Sequence, residues 1–175
     1  MHFNIAIAGN PNCGKTTVFN AMTGARQHVG NWPGVTVERK SGHFNHHDHR
    51  FDVIDLPGTY SLNAFSAEET ISRQHLLDDD VDVVVNVIDA SNLDRNLFLT
   101  TQLLELGRPM VIVLNMMDMA EEKGLKIDMD TLATLLGAPV VRVIGRTGEG
   151  LDLLKEKIFR VAKEISEKAY PINII

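Results

Sequence analysis

Apolar positions along the chain fall into short runs that alternate between two rhythms. Asp82 to Asp89 (DVVVNVID) and Met110 to Asn115 (MVIVLN) are nearly continuous apolar runs, the pattern of strands covered on both faces of a parallel sheet. Between them, Leu93 to Leu106 places leucines at helical spacing and stops at Gly107. Asn4 to Gly9 predicts an opening strand that ends in a Gly-rich turn, and Lys15 to Thr23 a helix with Val18, Phe19 and Met22 as its apolar stripe. Gln27 to Pro33 carries turn formers without a period and predicts a loop. Val35 to Phe44 and Arg50 to Asp55 predict a strand pair joined by the polar turn Asn45 to His49. Asp130 to Leu136 predicts a short helix, Val140 to Ile144 the last strand and Leu151 to Lys168 the last helix. The order of elements predicts a doubly wound α/β fold: a mostly parallel six-stranded sheet, one antiparallel edge strand, and helices on both faces. Residues 1–168 read as one domain. Tyr170-Pro171 ends the helix, and the apolar tail makes 169–175 read as the start of a linker to something longer.

Composition narrows this little. The 175 residues are 44% apolar and 23% charged, as in a globular domain that buries a core without disulfides. A formal charge of -6, with no block of Lys or Arg, argues against a nucleic-acid partner. The single cysteine, Cys13, rules out an internal disulfide and fits a reducing compartment. No apolar run approaches the roughly 20 residues of a membrane helix, and the start lacks the pattern of a signal peptide, so this stretch reads as soluble.

Chemistry enters between the first strand and first helix, where Gly9 to Thr16 spells G-x-x-x-x-G-K-T. Glycine lets the backbone wrap phosphate oxygens, successive N–H groups form an anion nest, and the helix start adds positive potential. Lys15 then reaches the β- and γ-phosphates and the Thr16 hydroxyl is placed for Mg²⁺, so the chain reads as a P-loop nucleoside triphosphate binder. Cys13 reads as a small loop residue, with a lowered thiol pKa as a side expectation. After the third strand, Asp55-Leu56-Pro57-Gly58 puts a carboxylate at the nucleotide edge, able to hold Mg²⁺ through water, and a Gly58 N–H near the γ-phosphate. Thr36, in Gly34-Val35-Thr36, is the candidate mobile Mg²⁺ ligand between these two motifs. Asn115-Met116-Met117-Asp118 follows a buried strand; an Asp that accepts from N1–H and N2–H selects guanine over adenine.

With these segments in order, the chain resembles the translation-factor-like (TRAFAC) small GTPases. More narrowly it resembles the N-terminal cytoplasmic G domain of the bacterial ferrous-iron transport protein FeoB family. The resemblance rests on Gly9-Asn10-Pro11-Asn12 through Lys15-Thr16-Thr17, on Val29-Gly30-Asn31-Trp32-Pro33-Gly34-Val35-Thr36-Val37-Glu38, on Asp55 to Leu62 and on Asp89 to Leu97. It implies a Ras-like G domain that binds GTP and GDP with Mg²⁺ and hydrolyses GTP slowly, in a Fe²⁺ transporter. That protein would sit at the cytoplasmic face of the inner (plasma) membrane of a bacterium or archaeon. Helical regulatory and membrane domains would follow in the same polypeptide, with small accessory proteins and homo-oligomers as further partners. The implied nucleotide contacts are Gly9, Asn10, Pro11, Asn12, Cys13, Gly14, Lys15, Thr16, Thr17, Gly34, Val35, Thr36, Asp55, Leu56, Pro57, Gly58, Asn115, Met116 and Asp118. Ile144 and Gly145 join them, standing where relatives carry a Ser-Ala- or Ser-Thr-like base loop. Lys15, Asn12, Thr36 and Gly58 are the expected catalytic set, with Thr16, Thr36 and Asp55 toward Mg²⁺. Asn12 resembles the asparagine that holds K⁺ in potassium-activated GTPases; the plainer alternative is that it shapes the loop. Thr59 stands where Ras-type enzymes carry a water-orienting glutamine. Glu68 and Glu69 are either substitutes for it or first-turn acids of a helix.

Two competing functions stay open on sequence: a free GTPase of ribosome assembly or RNA modification, and a sensor that binds GTP without useful turnover. His43, His46, His47 and His49 with Asp48 fall in and beside the hairpin turn and read as a solvated polar turn rather than a metal site.

Overall fold

The computed structural model describes residues 1–78 and 80–169. Its strands are β1 (His2–Gly9), β2 (Gln27–Asn31), β3 (Glu38–His46), β4 (His49–Asp55), β5 (Val83–Asp89), β6 (Met110–Asn115) and β7 (Val140–Arg142). The helices are α1 (Lys15–Thr23), α2 (Ala67–Leu77), α3 (Leu93–Glu105), α4 (Met117–Glu122), α5 (Met129–Leu136) and α6 (Leu151–Ala169). The sheet order is β2-β3-β4-β1-β5-β6-β7. β4, β1, β5, β6 and β7 run parallel, and β2 and β3 add the antiparallel edge.

The α/β class and mixed sheet are as predicted, with seven strands where six were expected. The added strand is Gln27–Asn31, within the segment predicted as loop. Four of its five residues are exposed, so it has no hydrophobic rhythm to read; backbone pairing of Gln27 with Gly42 through Asn31 with Glu38 holds it. α2 and α4 were not predicted as elements either. α2 buries only Ser72 and Leu76, and α4 is six residues long. Of the proposed linker, 170–175 lies outside the described residues, while Ala169 still belongs to α6.

Period-two alternation in the central strands divides the core. Ile5 and Ile7 of β1 with Val83, Val85 and Val87 of β5 meet Val18, Phe19 and Met22 of α1 and Leu154, Ile158 and Ala162 of α6. Ala6, Ala8, Val84 and Ile88 face the opposite layer, where Leu76, Leu99 and Leu103 pack. Full burial of a Leu or Ile side chain stabilises by roughly 1.5–3 kcal/mol, so these two layers carry the fold. One polar side chain crosses the second layer. Asn86 on β5 donates to the Ala8 carbonyl (3.3 Å) and accepts from the Thr100 hydroxyl (2.7 Å), which sets α3 against the sheet without leaving a polar atom unpaired. At the far end, Phe44, Phe51 and Phe3 stack, with Phe44 and Phe51 centroids 4.8 Å apart.

Candidate functional site

The site lies at the carboxyl ends of the parallel strands, where strand order reverses around β1. β1 ends at Gly9, and the loop after it turns on two left-handed residues, Asn12 (φ 62°) and Gly14 (φ 85°). A Cβ at Gly14 would stand 2.1 Å from Asn115 Nδ2, so glycine is required there for space as well as for φ. Gly14 is also the N-cap of α1. The helix start has no side-chain cap and no acidic residue in its first turn, so its N–H groups remain available to an anion.

Three side chains converge in front of that helix start. Buried Lys15 donates from Nζ to Asp55 Oδ1, and Thr16 Oγ1 donates to Asp55 Oδ2 at 3.1 Å. The pairing spans α1 and β4. It is fixed by the parallel β1–β4 register, in which Ile7 faces Asp55, and by two loop bonds, Leu56 N to Ile7 O (3.0 Å) and Thr59 N to Gly9 O (3.1 Å). A cavity of about 330 Å³ lies alongside, lined by Asn10, Pro11, Asn12, Gly14, Lys15, Thr16, Thr17 and Gly58. Asn10 is 3% exposed, and both its side-chain amide atoms lack a partner among the described residues. A larger hollow of about 580 Å³ lies beside β2 and β3, and no residue of the Gly9 to Thr16 loop lines it.

The donor set fits a nucleotide with Mg²⁺. Two hard oxygen donors, Thr16 Oγ1 and the Asp55 carboxylate, already lie within 3.1 Å of each other, the ligand type that Mg²⁺ prefers. Lys15 supplies a buried positive charge beside them, and the uncapped start of α1 supplies N–H groups.

Asn115 does more here than its sequence position suggested. Its Nδ2 donates to Cys13 O (3.1 Å) and its Oδ1 accepts from Gly145 N (3.4 Å), so one buried side chain ties the phosphate loop to the loop after β7. Gly145 approaches α1 closely, and a Cβ there would meet Thr17 Cγ2 at 3.2 Å. Ile144 closes the same loop by accepting from Gly148 N (2.8 Å). Met116 takes a left-handed conformation (φ 59°) and turns the chain so that Asp118 stands exposed in the first turn of α4.

Other expected residues lie elsewhere. Gly34, Val35 and Thr36 are exposed on the turn between β2 and β3 and do not line the cavity. The turn is held by Trp32 N to Val37 O (2.9 Å) and by the Trp32 ring, which meets His75 of α2 edge-on at 5.5 Å and lies under Arg39. Thr59 is buried with its N–H on Gly9 O, a backbone brace of the phosphate loop. Glu69 accepts from Phe65 N (3.0 Å), and its own N–H bonds the Ser66 hydroxyl (3.1 Å), a capping arrangement that favours the helix-start reading. Leu56 is core, Pro57 accepts from Ser72 (3.3 Å), and a Cβ at Gly58 would lie 3.1 Å from Pro11. Burial pushes the Cys13 thiol up to about 11, so the lowered pKa expected for it is corrected: it stays a neutral thiol at physiological pH. The Asp89 cap, which accepts from Ser91 Oγ (2.6 Å) and Asn92 Nδ2 (2.8 Å), is a supporting residue to which the sequence reading gave no such role.

Comparison with known proteins agrees with this geometry. Residues 3–158 match the family model described as ferrous iron transport protein B. The Fe(2+) transporter FeoB of Salmonella typhimurium is 53% identical over 160 residues, covering 89% of this chain and 21% of its own length. The present chain thus spans about a fifth of the curated relatives it matches. The crystal structure of the G domain of the T. maritima FeoB iron transporter is 44% identical with a TM-score of 0.87, covering 93% of this chain and 99% of that one. The cytosolic domain of the same transporter in its GMPPNP form is 46% identical with a TM-score of 0.88, covering 91% of this chain and 64% of that one.

Proposed function

The chain belongs to the ferrous iron transport protein B family, and from that premise we propose that it is the GTP-hydrolysing switch of a Fe²⁺ transporter, on the cytoplasmic face of the membrane. The observation that carries the reading is the Lys15–Asp55–Thr16 cluster at an uncapped helix start. Family membership removes the free ribosome-assembly GTPase from consideration. The transport activity belongs to the longer protein, whose helical and membrane regions, accessory proteins and self-association would read the state of this domain.

Phosphoryl transfer to water depends on positioning and charge neutralisation. The loop N–H groups and Lys15 bind the β- and γ-phosphate oxygens, while Thr16 directly and Asp55 through water hold Mg²⁺. When bound, Mg²⁺ would supply neutralisation of the phosphate charge. Lys15 exchanges its carboxylate partner for phosphate as nucleotide enters, and Thr36, brought in with its loop, would be a further residue to hold the ion. Gly58 N–H then meets the γ-phosphate, and the loop relaxes when that phosphate leaves. Asp118 reads guanine, Asn115 fixes the loops on either side, and the backbone at Ile144 and Gly145 closes the base pocket.

Asn12 is assigned the K⁺ that replaces an arginine finger. Its left-handed backbone at the cavity edge leaves the side chain exposed and free to turn toward a ligand. GTP turnover compared in KCl and in NaCl, then with Asn12→Ala, tests this. Faster hydrolysis in KCl, lost in the variant, is expected; equal rates in both salts refute the potassium role. Single-turnover hydrolysis set against GTP affinity separates the enzyme from a sensor that only binds.

A further inference from the structure

The β3–β4 hairpin tip contains the histidines that read as a solvated turn, but the fold brings them a third partner from 110 positions away. His47 (φ 47°) and Asp48 (φ 61°) form a two-residue turn in which both residues are left-handed, the arrangement that matches strand twist. This turn seats His46 and His47 side by side against α6, with ring centroids 4.2 Å apart and both rings packed on Phe159. His46 Nε2 lies 2.9 Å and His47 Nε2 2.8 Å from the same oxygen, Glu156 Oε2. The other oxygen, Oε1, accepts from Arg160 Nε at 2.9 Å, which fixes the plane of the carboxylate.

We propose that His46, His47 and Glu156 form a binding site for a first-row divalent transition-metal ion. The three ligand atoms all lie within 4.8 Å of one another and come from two elements that pack by other contacts. Ligands sharing a metal at about 2.0–2.1 Å sit roughly 3 Å apart. Both nitrogen–oxygen separations are already at that value, so only the two imidazole nitrogens must close. A metal would replace the two N–H···O bonds with two Nε2–metal bonds and one bond from the Glu156 carboxylate, each ring binding as neutral imidazole with its proton on Nδ1 and any excess proton released to solvent. Arg160 plays the outer-shell part that orients a ligating carboxylate. Two imidazoles with one carboxylate suit Zn²⁺, Co²⁺, Ni²⁺ or Fe²⁺ better than Mg²⁺ or Ca²⁺, and water supplies the remaining positions. The three ligands are partly exposed, and the two histidines border an open hollow, lined also by Met1, Asn45 and His49, that gives an ion access. The site lies at the amino-terminal end of β1, away from the phosphate loop at its carboxyl end, so occupancy would tie the hairpin tip to α6 without entering the nucleotide cavity.

The test titrates the chain, saturated with Mg²⁺ and GDP, with Co²⁺ and separately with Zn²⁺. Calorimetry and the visible absorption of Co²⁺ give the readout, for the parent and for His47→Ala, Glu156→Gln and the distant control His28→Ala. One-to-one binding tighter than ~100 µM, weakened at least about tenfold by His47→Ala and by Glu156→Gln but not by His28→Ala, is expected. Circular dichroism and unchanged GDP affinity show that the variants fold. Weaker binding by the parent, or unchanged binding in either ligand variant, overturns the proposal.

Discussion

In the proposed function the phosphate loop and the turn carrying Thr36 serve one nucleotide, and the two are built by opposite means. The phosphate loop is braced from four directions: Asp55 from β4, Gly9 and Thr59 through the backbone, Asn115 from β6 and Gly145 from beyond β7. Much of it is buried, and two of its glycines have no room for a Cβ. The Thr36 turn hangs from an edge hairpin whose first strand is almost wholly exposed, and its anchor is Trp32 against His75 and Arg39. A rigid half holds whatever carries phosphate; a lightly tied half can respond to which phosphates are present. Weak tethering suits a switch, because only a small differential affinity is needed to move it.

Breaking the rigid half is expected to have the largest effect. Gly14→Ala forces a Cβ into Asn115 Nδ2 and opposes a φ of 85°, so it strikes loop geometry and the Asn115 tie together. GDP and GTP affinities should both fall by at least about 100-fold, the equivalent of roughly 2.7 kcal/mol. Fluorescent-nucleotide titration checks this, and near-parental affinity would mean that the bracing is dispensable. Thr36→Ala tests the mobile half. GTP turnover should drop by about 10–100-fold, the scale of losing a group that supports a bound metal, while GDP affinity changes less than about twofold. An equal loss of GDP affinity would erase the division between the halves.

The smallest effect concerns the anchor. Burial holds the His75 pKa below its ordinary 6.5, so the folded contact favours neutral imidazole. A depressed folded pKa contributes stability that is complete above the ordinary value and is lost as pH falls through the lowered one. Fluorescence of Trp32, the protein's one tryptophan, should therefore shift as pH falls below about 6.5, and His75→Phe should abolish that transition. A titration curve that survives the substitution would place the anchor elsewhere.

What was readable in the sequence follows the same division. The buried strands at Val83–Asp89 and Met110–Asn115 and the glycine spacing of the loop are imposed by burial and close approach, which leave marks on residue type. Strand Gln27–Asn31 is held by backbone pairing and by the Gln27 side chain on α1, and its other residues are exposed, so no hydrophobic rhythm announced it. The role of Glu156 was hidden for another reason. It depends on residues more than a hundred positions away, and a motif shows which side chains are present without showing what folds beside them.

The position of β1 between β4 and β5 has a consequence for synthesis. Ile5 pairs with both Val53 and Val83, and the brace through Asn115 reaches Gly145. The phosphate loop therefore leaves the ribosome before the strands and the Asn115 tie that brace it, and takes its working shape only after them. Closing such distant parallel pairs is slow, because chain entropy must be spent before the contacts form. A nascent chain that ends before β6 carries the complete loop motif without Asn115 to brace it. Nucleotide capture during translation would thus mark the moment when the sheet has closed.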